Sequence, residues 1–432
     1  MKGRLNLFQA AMLRWRDLHP YTAIHVGRID RPLDAGRLKT LIGRQLDALG
    51  LTGFMLDVAR RRFEYTGGPA EVALVVHAGG SQPSEVLAMT IERELNLPFV
   101  RDGRLNPFRF FCIDSGPWFH LGLAYDHVIA GGDSIVVLLE GIFSRYLGDK
   151  PEAPPVRRLD RYPATFGRLF VQQAAPALMG MRFLRTIAAS CGRTVRPRGL
   201  QGGSPASGFA YRRLDPPELV ALVGAARAWG VTVNDLLLAA LLRALEPFVG
   251  ERAPEERRHE LAVASIVNLR RDLGYDPNVT FGQFLSSFRV SHPLPPGIAL
   301  EQLARDIHAE TARIRSAKLY LQSLLGIAVS GVLWRFLSRE QRAGFYAKHY
   351  PTWGAVTLAN VDALWENAGG RMPTPEYLRA VSTGPLAPVV VTVTIAAGVL
   401  HAGISYQRAV FTAANIGQIA DGMVGCWTHL DS

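Results

Sequence analysis

The sequence predicts an α/β fold built on mixed sheets, and three observations carry that prediction. Short apolar runs meet across tight turns: Phe108 to Ile113 and Trp118 to Tyr125 flank Asp114-Ser115-Gly116-Pro117, and Val389 to Ala396 and Val399 to Tyr406 flank Ala397-Gly398. Between such runs lie stretches with apolar residues at helical spacing, as at Ile135, Val136, Leu138, Leu139, Ile142 and Phe143. Both kinds of element alternate along the whole chain instead of segregating, which fits sheets with flanking helices. At 432 residues the chain exceeds the roughly 250–300 at which a single core stops growing, so more than one core is expected.

Composition narrows the class. The chain is 48% hydrophobic and 20% charged with mean hydropathy near zero, which reads as a soluble globular protein. Cys112, Cys191 and Cys426 are its three cysteines; none has metal-ligand spacing, the odd count argues against a disulfide framework, and a cytoplasmic location is expected. The opening MKGRLNLFQAAMLRWRDLHP is interrupted by Arg14, Arg16 and Asp17 and does not read as a signal peptide. We expect no run approaching the ~20 apolar residues of a membrane span. The net charge is +11, and residues 149–200 supply seven of it through ten Lys/Arg against three Asp/Glu. That stretch reads as a solvated linker, or as a surface for an acidic carrier protein, coenzyme A phosphates or an anionic membrane. Nucleic acid is not expected, because aromatics do not interleave the basic residues in a binding motif.

The elements follow in order. Leu5, Leu7, Phe8, Ala11, Met12 and Trp15 predict a short helix within 5–18, Thr22 to Ile29 a strand, and Asp34 the cap of a helix over 35–49. Residues 61–65 and 71–77 are expected to pair as strands, and Ser84 to start a helix reaching Leu95. After Trp118 to Tyr125 comes Asp126-His127, then the small-residue turn Ala130-Gly131-Gly132, with Ser134 or Asp133 capping the next helix. Residues 149–162 are a proline-rich boundary. Residues 163–190 predict a helix broken near Pro176, either packed on its own protein or lying on a membrane, and 192–208 a flexible connector. The second half predicts a strand at 209–214, helices at 217–229 and within 230–245, and a strand at 261–267. Helices at about 298–318 and 321–336, a strand at 355–358, the hairpin of 389–406 and a last helix from 413 to 427 complete it.

His127 is the side chain singled out: it leaves a strand end beside a glycine turn at a helix start, where rigid elements hold a side chain that faces open space. The segment Asp126-His127-Val128-Ile129-Ala130-Gly131-Gly132 resembles the active-site segment of the condensation-domain and CoA-dependent acyltransferase superfamily, two histidines, three free positions, then Asp-Gly. His127 matches the second histidine and Gly132 the closing glycine, while Asp126 replaces the first histidine and Gly131 the aspartate. "RPLDAGRLKTLIGRQL", "GVTVNDLLLAALLRAL", "VNLR … FGQFLS" and the strand ending at Asn360 add further likeness, so the resemblance covers nearly the whole chain and is closest to polyketide-associated acyltransferases and wax ester synthases.

The resemblance implies two chloramphenicol-acetyltransferase-like halves, about 1–150 and 205–432, with a tunnel between them, joined by a basic linker over 151–204. It implies an acyl transfer from a thioester of coenzyme A or an acyl carrier protein to a hydroxyl, or less favoured an amine, of a small-molecule acceptor, with His127 as general base. Gly131 and Gly132 would offer backbone N–H groups to an oxyanion. Arg270 would brace the loop against Asp133 or Asp126, and Ser286 and Asn360 are candidates to line the tunnel. No metal or permanently bound cofactor is expected; an acyl carrier protein is the expected partner of a monomer, with peripheral membrane contact through 163–198 as a further reading. The competing reading is a catalytically impaired member that binds a carrier protein or acyl chain.

Overall fold

Runs that are apolar at every position need cover on both faces, and that requirement organises the molecule. The computed structural model describes residues 1–148, 185–201, 203–250, 256–276, 278, 280–368 and 373–428. The chain passes through strands β1 (Lys2–Arg4), β2 (Thr22–Ile29), β3 (Phe54–Asp57), β4 (Arg62–Tyr65), β5 (Leu74–Ala78), β6 (Gly103–Arg104), β7 (Phe108–Asp114) and β8 (Phe119–Asp126). It continues with β9 (Ser207–Leu214), β10 (Leu261–Asn268), β11 (Leu285–His292), β12 (Gly354–Asn360), β13 (Tyr377–Val381), β14 (Val389–Ala396) and β15 (Val399–Gln407). They form a five-stranded sheet ordered β13-β2-β8-β7-β5, a six-stranded sheet ordered β11-β10-β12-β14-β15-β9, and a small sheet β1-β4-β3-β6. Both large sheets mix parallel and antiparallel pairs, as expected.

The helix Gly132–Leu147 packs on one face of the first sheet, where the ring of Phe143 takes the space beside Gly27 of β2. The helix Pro83–Asn96 covers the other face through Leu87, Ile91 and Leu95. The helix Val233–Leu245 is buried at ten of its residues against the second sheet. Its N-cap is Thr232 in a reciprocal capping box with Asp235, whose buried carboxylate also accepts from the Thr311 hydroxyl at 2.6 Å.

The sheets are not independent. β13 comes from the second half of the chain yet extends the first sheet, pairing antiparallel with β2 so that Arg379 stands opposite His25. It also lies against β14 and β15, where the Thr392 hydroxyl donates to the Arg379 carbonyl at 2.5 Å. Gly403 of β15 makes that approach feasible: a Cβ there would sit 2.1 Å from the Arg379 oxygen. One hydrophobic core accordingly runs through both halves.

Several local expectations change. β4 pairs with β3 and β1, and β5 pairs parallel with β7, so 61–65 and 71–77 do not meet. The helix after His127 begins at Gly132 with Gly131 as N-cap and no side-chain cap, because the Ser134 hydroxyl is turned to Arg270 and Gly282. Residues 192–195 do not behave as a loose connector: Thr194 is buried, Val195 N–H donates to the Glu260 carbonyl at 2.9 Å, and the Trp353 indole donates to the Val195 carbonyl at 2.8 Å. The boundary at 149–162 and most of the 163–190 segment lie outside the described residues. Leu319–Phe336 forms 18 residues of helix apolar enough to cross a membrane, contrary to expectation; it is 44% buried against the protein and exposes Val329, Val332, Leu333 and Phe336.

Candidate active site

His127 stands one residue beyond β8, and its loop is fastened from several directions. Its backbone N–H donates to the Tyr21 carbonyl at 3.1 Å, and Gly131 N–H donates to the Gly282 carbonyl of the second half at 2.9 Å. The Gln9 amide donates to the Val128 carbonyl at 2.8 Å and the Gln283 amide to the His127 carbonyl at 2.9 Å. The Gln9 bond is buried, where a lost partner is costly, and together the four bonds hold the loop from both halves.

The imidazole stacks on Tyr21 with ring centroids 5.6 Å apart and meets the edge of Tyr125 at 5.8 Å. Its Nδ1 lies 3.2 Å from the Ala130 carbonyl and a longer 3.5 Å from the Gln283 amide nitrogen, which already donates to the His127 carbonyl at 2.9 Å. A carbonyl only accepts, so Nδ1 carries the proton and Nε2 keeps its lone pair. No described residue engages Nε2. Burial pushes the ring down to about 4, with the cation of Arg379 adding in the same direction and the Ala130 carbonyl opposing. His127 is therefore uncharged at neutral pH.

The ring faces a cavity of about 240 Å³ walled by both halves. Tyr21, His25, Tyr125, Gly132 and Asp133 come from the first; Asn268, Ser287 and Thr357 come from the second, and Arg379 comes from the crossing strand β13. Most of the exposed wall is apolar, with few polar groups, as in small-molecule sites generally.

Arg270 sits at the seam. It is buried, with Nη2 donating to the Ser134 hydroxyl at 2.6 Å and Nη1 to the Thr280 carbonyl at 2.8 Å. Its Nε lies 3.5 Å from Asp133, whose carboxylate also accepts from the Asn268 amide. Asp133 thus reaches the arginine that Gly131 cannot. Asp126 does not: it is fully buried and pairs with Arg16 of the Leu7–Arg16 helix.

Three expected site residues are displaced. Gly131 spends its N–H on Gly282, which leaves Gly132 as the glycine on the cavity wall. Ser286 points away into the second half, its hydroxyl 2.6 Å from the Tyr320 carbonyl, because side chains alternate along a strand and its neighbour Ser287 takes the inner face. Asn360 is exposed and accepts from Ala363 N–H as the cap of the Val361–Asn367 helix.

Other groups escaped sequence reasoning. His25 is buried in β2, with Nδ1 2.9 Å from the Tyr377 hydroxyl and Nε2 3.5 Å from the Tyr125 hydroxyl. Burial, Arg379 and His127 hold it well below the usual histidine range. Arg379 and Tyr377 belong to a strand that local pattern did not predict; the lone arginine within an otherwise apolar "YLRAV" was the available signal.

No family model and no curated protein matches the sequence. Solved structures match along its whole length. The first condensation domain of the calcium-dependent antibiotic synthetase, in complex with a substrate analogue, aligns at TM-score 0.68 and 15% identity, covering 100% of this chain and 96% of that one. The EpoB cyclization-docking bidomain from Sorangium cellulosum aligns at 0.69 and 11%, covering 100% and 84%. The condensation domain from the Monacolin K polyketide synthase MokA aligns at 0.63 and 14%, covering 100% and 97%. The two mixed sheets, the strand exchanged between them and the histidine-bearing loop at their seam thus make up a condensation-domain fold.

Proposed function

We propose that this chain is an acyltransferase that moves an acyl group from a thioester of coenzyme A or an acyl carrier protein to an acceptor hydroxyl or amine, an ester being the favoured product. The observation that carries the reading is the unengaged Nε2 of a neutral His127 in a cavity shared by both halves. Nε2 takes the acceptor proton as the acceptor oxygen bonds to the thioester carbonyl carbon. The carbonyl oxygen becomes an oxyanion, and Gly132, at the positive end of its helix, is the donor on that wall. Collapse of the intermediate re-forms the carbonyl and breaks the C–S bond, and the departing thiolate recovers the proton from the imidazolium. The Ala130 carbonyl on Nδ1–H holds the ring through both transfers.

The alternative is a binding protein without turnover, favoured by the missing side chain at Gly131; Asp133 beside Arg270 supplies that contact from elsewhere. We place the enzyme with carrier-borne or CoA-borne donors, as a monomer without a permanent cofactor. The test is acyl transfer from N-acetylcysteamine thioesters to a panel of alcohols and amines by wild type and His127→Ala. A fall of about 10²–10⁴ in turnover with an unaltered unfolding transition is expected, the usual worth of a general base. Equal turnover in the two proteins would remove His127 from the chemistry.

A further inference from the structure

Arg379 is a buried cation with no carboxylate paired to it among the described residues. Its Nε donates to the Thr394 hydroxyl at 2.9 Å, and its Nη2 donates to the Thr357 and Val393 carbonyls at 3.1 and 2.7 Å. Those acceptors are neutral, and Nη1 has no protein partner among the described residues. The residue is 8% exposed, and what surface it keeps lies on the cavity wall. Guanidinium does not lose its proton in proteins, so the site carries a full charge that no described residue neutralises directly. Asp133 acts on it from a distance but is committed to Asn268 and Arg270.

A second observation converges on the same place. The sixteen-residue helix Gly132–Leu147 starts beside Arg379: a Cβ placed on Gly132 would lie 3.6 Å from Arg379 Nη1 and 3.4 Å from His25 Cε1. The first turn of a helix offers N–H donors and a partial positive charge, and here the free edge of an arginine adjoins it. The phenol of Tyr125 stays protonated because burial raises it, and it lines the same wall. The acidic neighbour Asp133 is already matched by Arg270, so the unmatched charge is one cation, which suits a monoanion better than a dianion.

We propose that the cavity accepts a ligand bearing a free carboxylate, held by Arg379 Nη1 next to the Gly132 end of the helix. Arg379 belongs to the crossing strand β13 and His127 to the loop after β8; the carboxylate takes the Gly132 end of the helix that the acyl-transfer reading gives to the oxyanion, so it selects which small molecule occupies the cavity. The assignment concerns binding alone and does not depend on acyl transfer.

The experiment uses the full chain and two probes of nearly equal shape, butyrate and butyramide, compared by calorimetric titration and thermal unfolding at matched ionic strength. Wild type is expected to bind butyrate at least tenfold more tightly and to be stabilised by it alone. In Arg379→Gln the ratio is expected to fall to near one. Should that variant fail to fold, Gly132→Ala carries the same test: its added methyl makes ordinary contacts in the present structure, yet it occupies the anion site. No preference for butyrate in wild type would overturn the proposal, as would a preference that survives in a folded Arg379→Gln or Gly132→Ala. Because no acyl donor is present, this result is separable from the fate of His127→Ala.

Discussion

Arg270 ties the two halves together, and replacing it by Met separates its partners into those that matter and those that do not. Met keeps much of the buried apolar stem but removes the guanidinium, whose carbon lies 4.7 Å from the centroid of the Phe284 ring. What is lost includes the bonds to the Ser134 hydroxyl and to the Thr280 and Gly282 carbonyls, 2.6, 2.8 and 3.2 Å long, and the approach to Asp133. Charge-assisted bonds in a dry seam contribute roughly 1.5–3 kcal/mol each. Removing one member of a buried charged network costs roughly 3–5 kcal/mol, and we expect Arg270→Met to fall in that range. Asp133→Asn should cost far less, about 1 kcal/mol, because its side chain is 21% exposed, sits 3.5 Å from the arginine and can still accept from Asn268 as an amide. Urea unfolding of the two single variants and the double variant supplies the comparison. A loss in Asp133→Asn equal to that in Arg270→Met would show that the carboxylate and not the hydroxyl–carbonyl set is the anchor, and a loss under about 1 kcal/mol in Arg270→Met would show that this arginine anchors neither half; either result defeats the reasoning.

Further outcomes follow from the same geometry. Gly403→Ala pushes a methyl to within 2.1 Å of the Arg379 carbonyl and should cost at least about 1–3 kcal/mol while displacing β13; unchanged stability by denaturant titration would mean the two sheets can part without penalty. Acid should weaken the fold through desolvated histidines: the half-buried His120 and His127 are pushed down to about 4 and the buried His25 is held well below its usual range, chiefly by desolvation, so the unfolded chain takes up protons first as pH falls below about 6.5. For His127 alone that difference amounts to about 2 kcal/mol at pH 5, vanishing above about pH 7. The stability gap between wild type and His127→Asn, followed from pH 7.5 to 5, should narrow by that amount, and a gap independent of pH would contradict it.

Much of this architecture is written locally. Largely apolar runs such as Phe108–Asp114 and Phe119–Asp126 need cover on both faces, the turn at Ser115–Pro117 forces them antiparallel, and Thr232 announces its helix through hydrogen bonds only three residues long. His127 was legible for the same reason: strand end, small-residue turn and helix start are consecutive in sequence. What pairs with what across the chain is not encoded within such windows. Asp126 and Asp133 are equally plausible partners for an arginine some 140 positions away, and only the packed seam sends one to Arg16 and the other towards Arg270. The inward choice of Ser287 over Ser286 needs the register of β10 against β11, and the loss of Gly131 as a donor needs Gly282 to arrive from the other half. β13 is the extreme case: five residues with little pattern of their own become a strand because β2 offers an open edge on one side and Gly403 leaves room on the other. Sequence determined the elements and the one histidine, because short-range sterics and periodicity suffice for those. Tertiary structure decided the cavity, its second histidine and its unpaired arginine, because a charge is stranded or neutralised only by what long-range packing brings beside it.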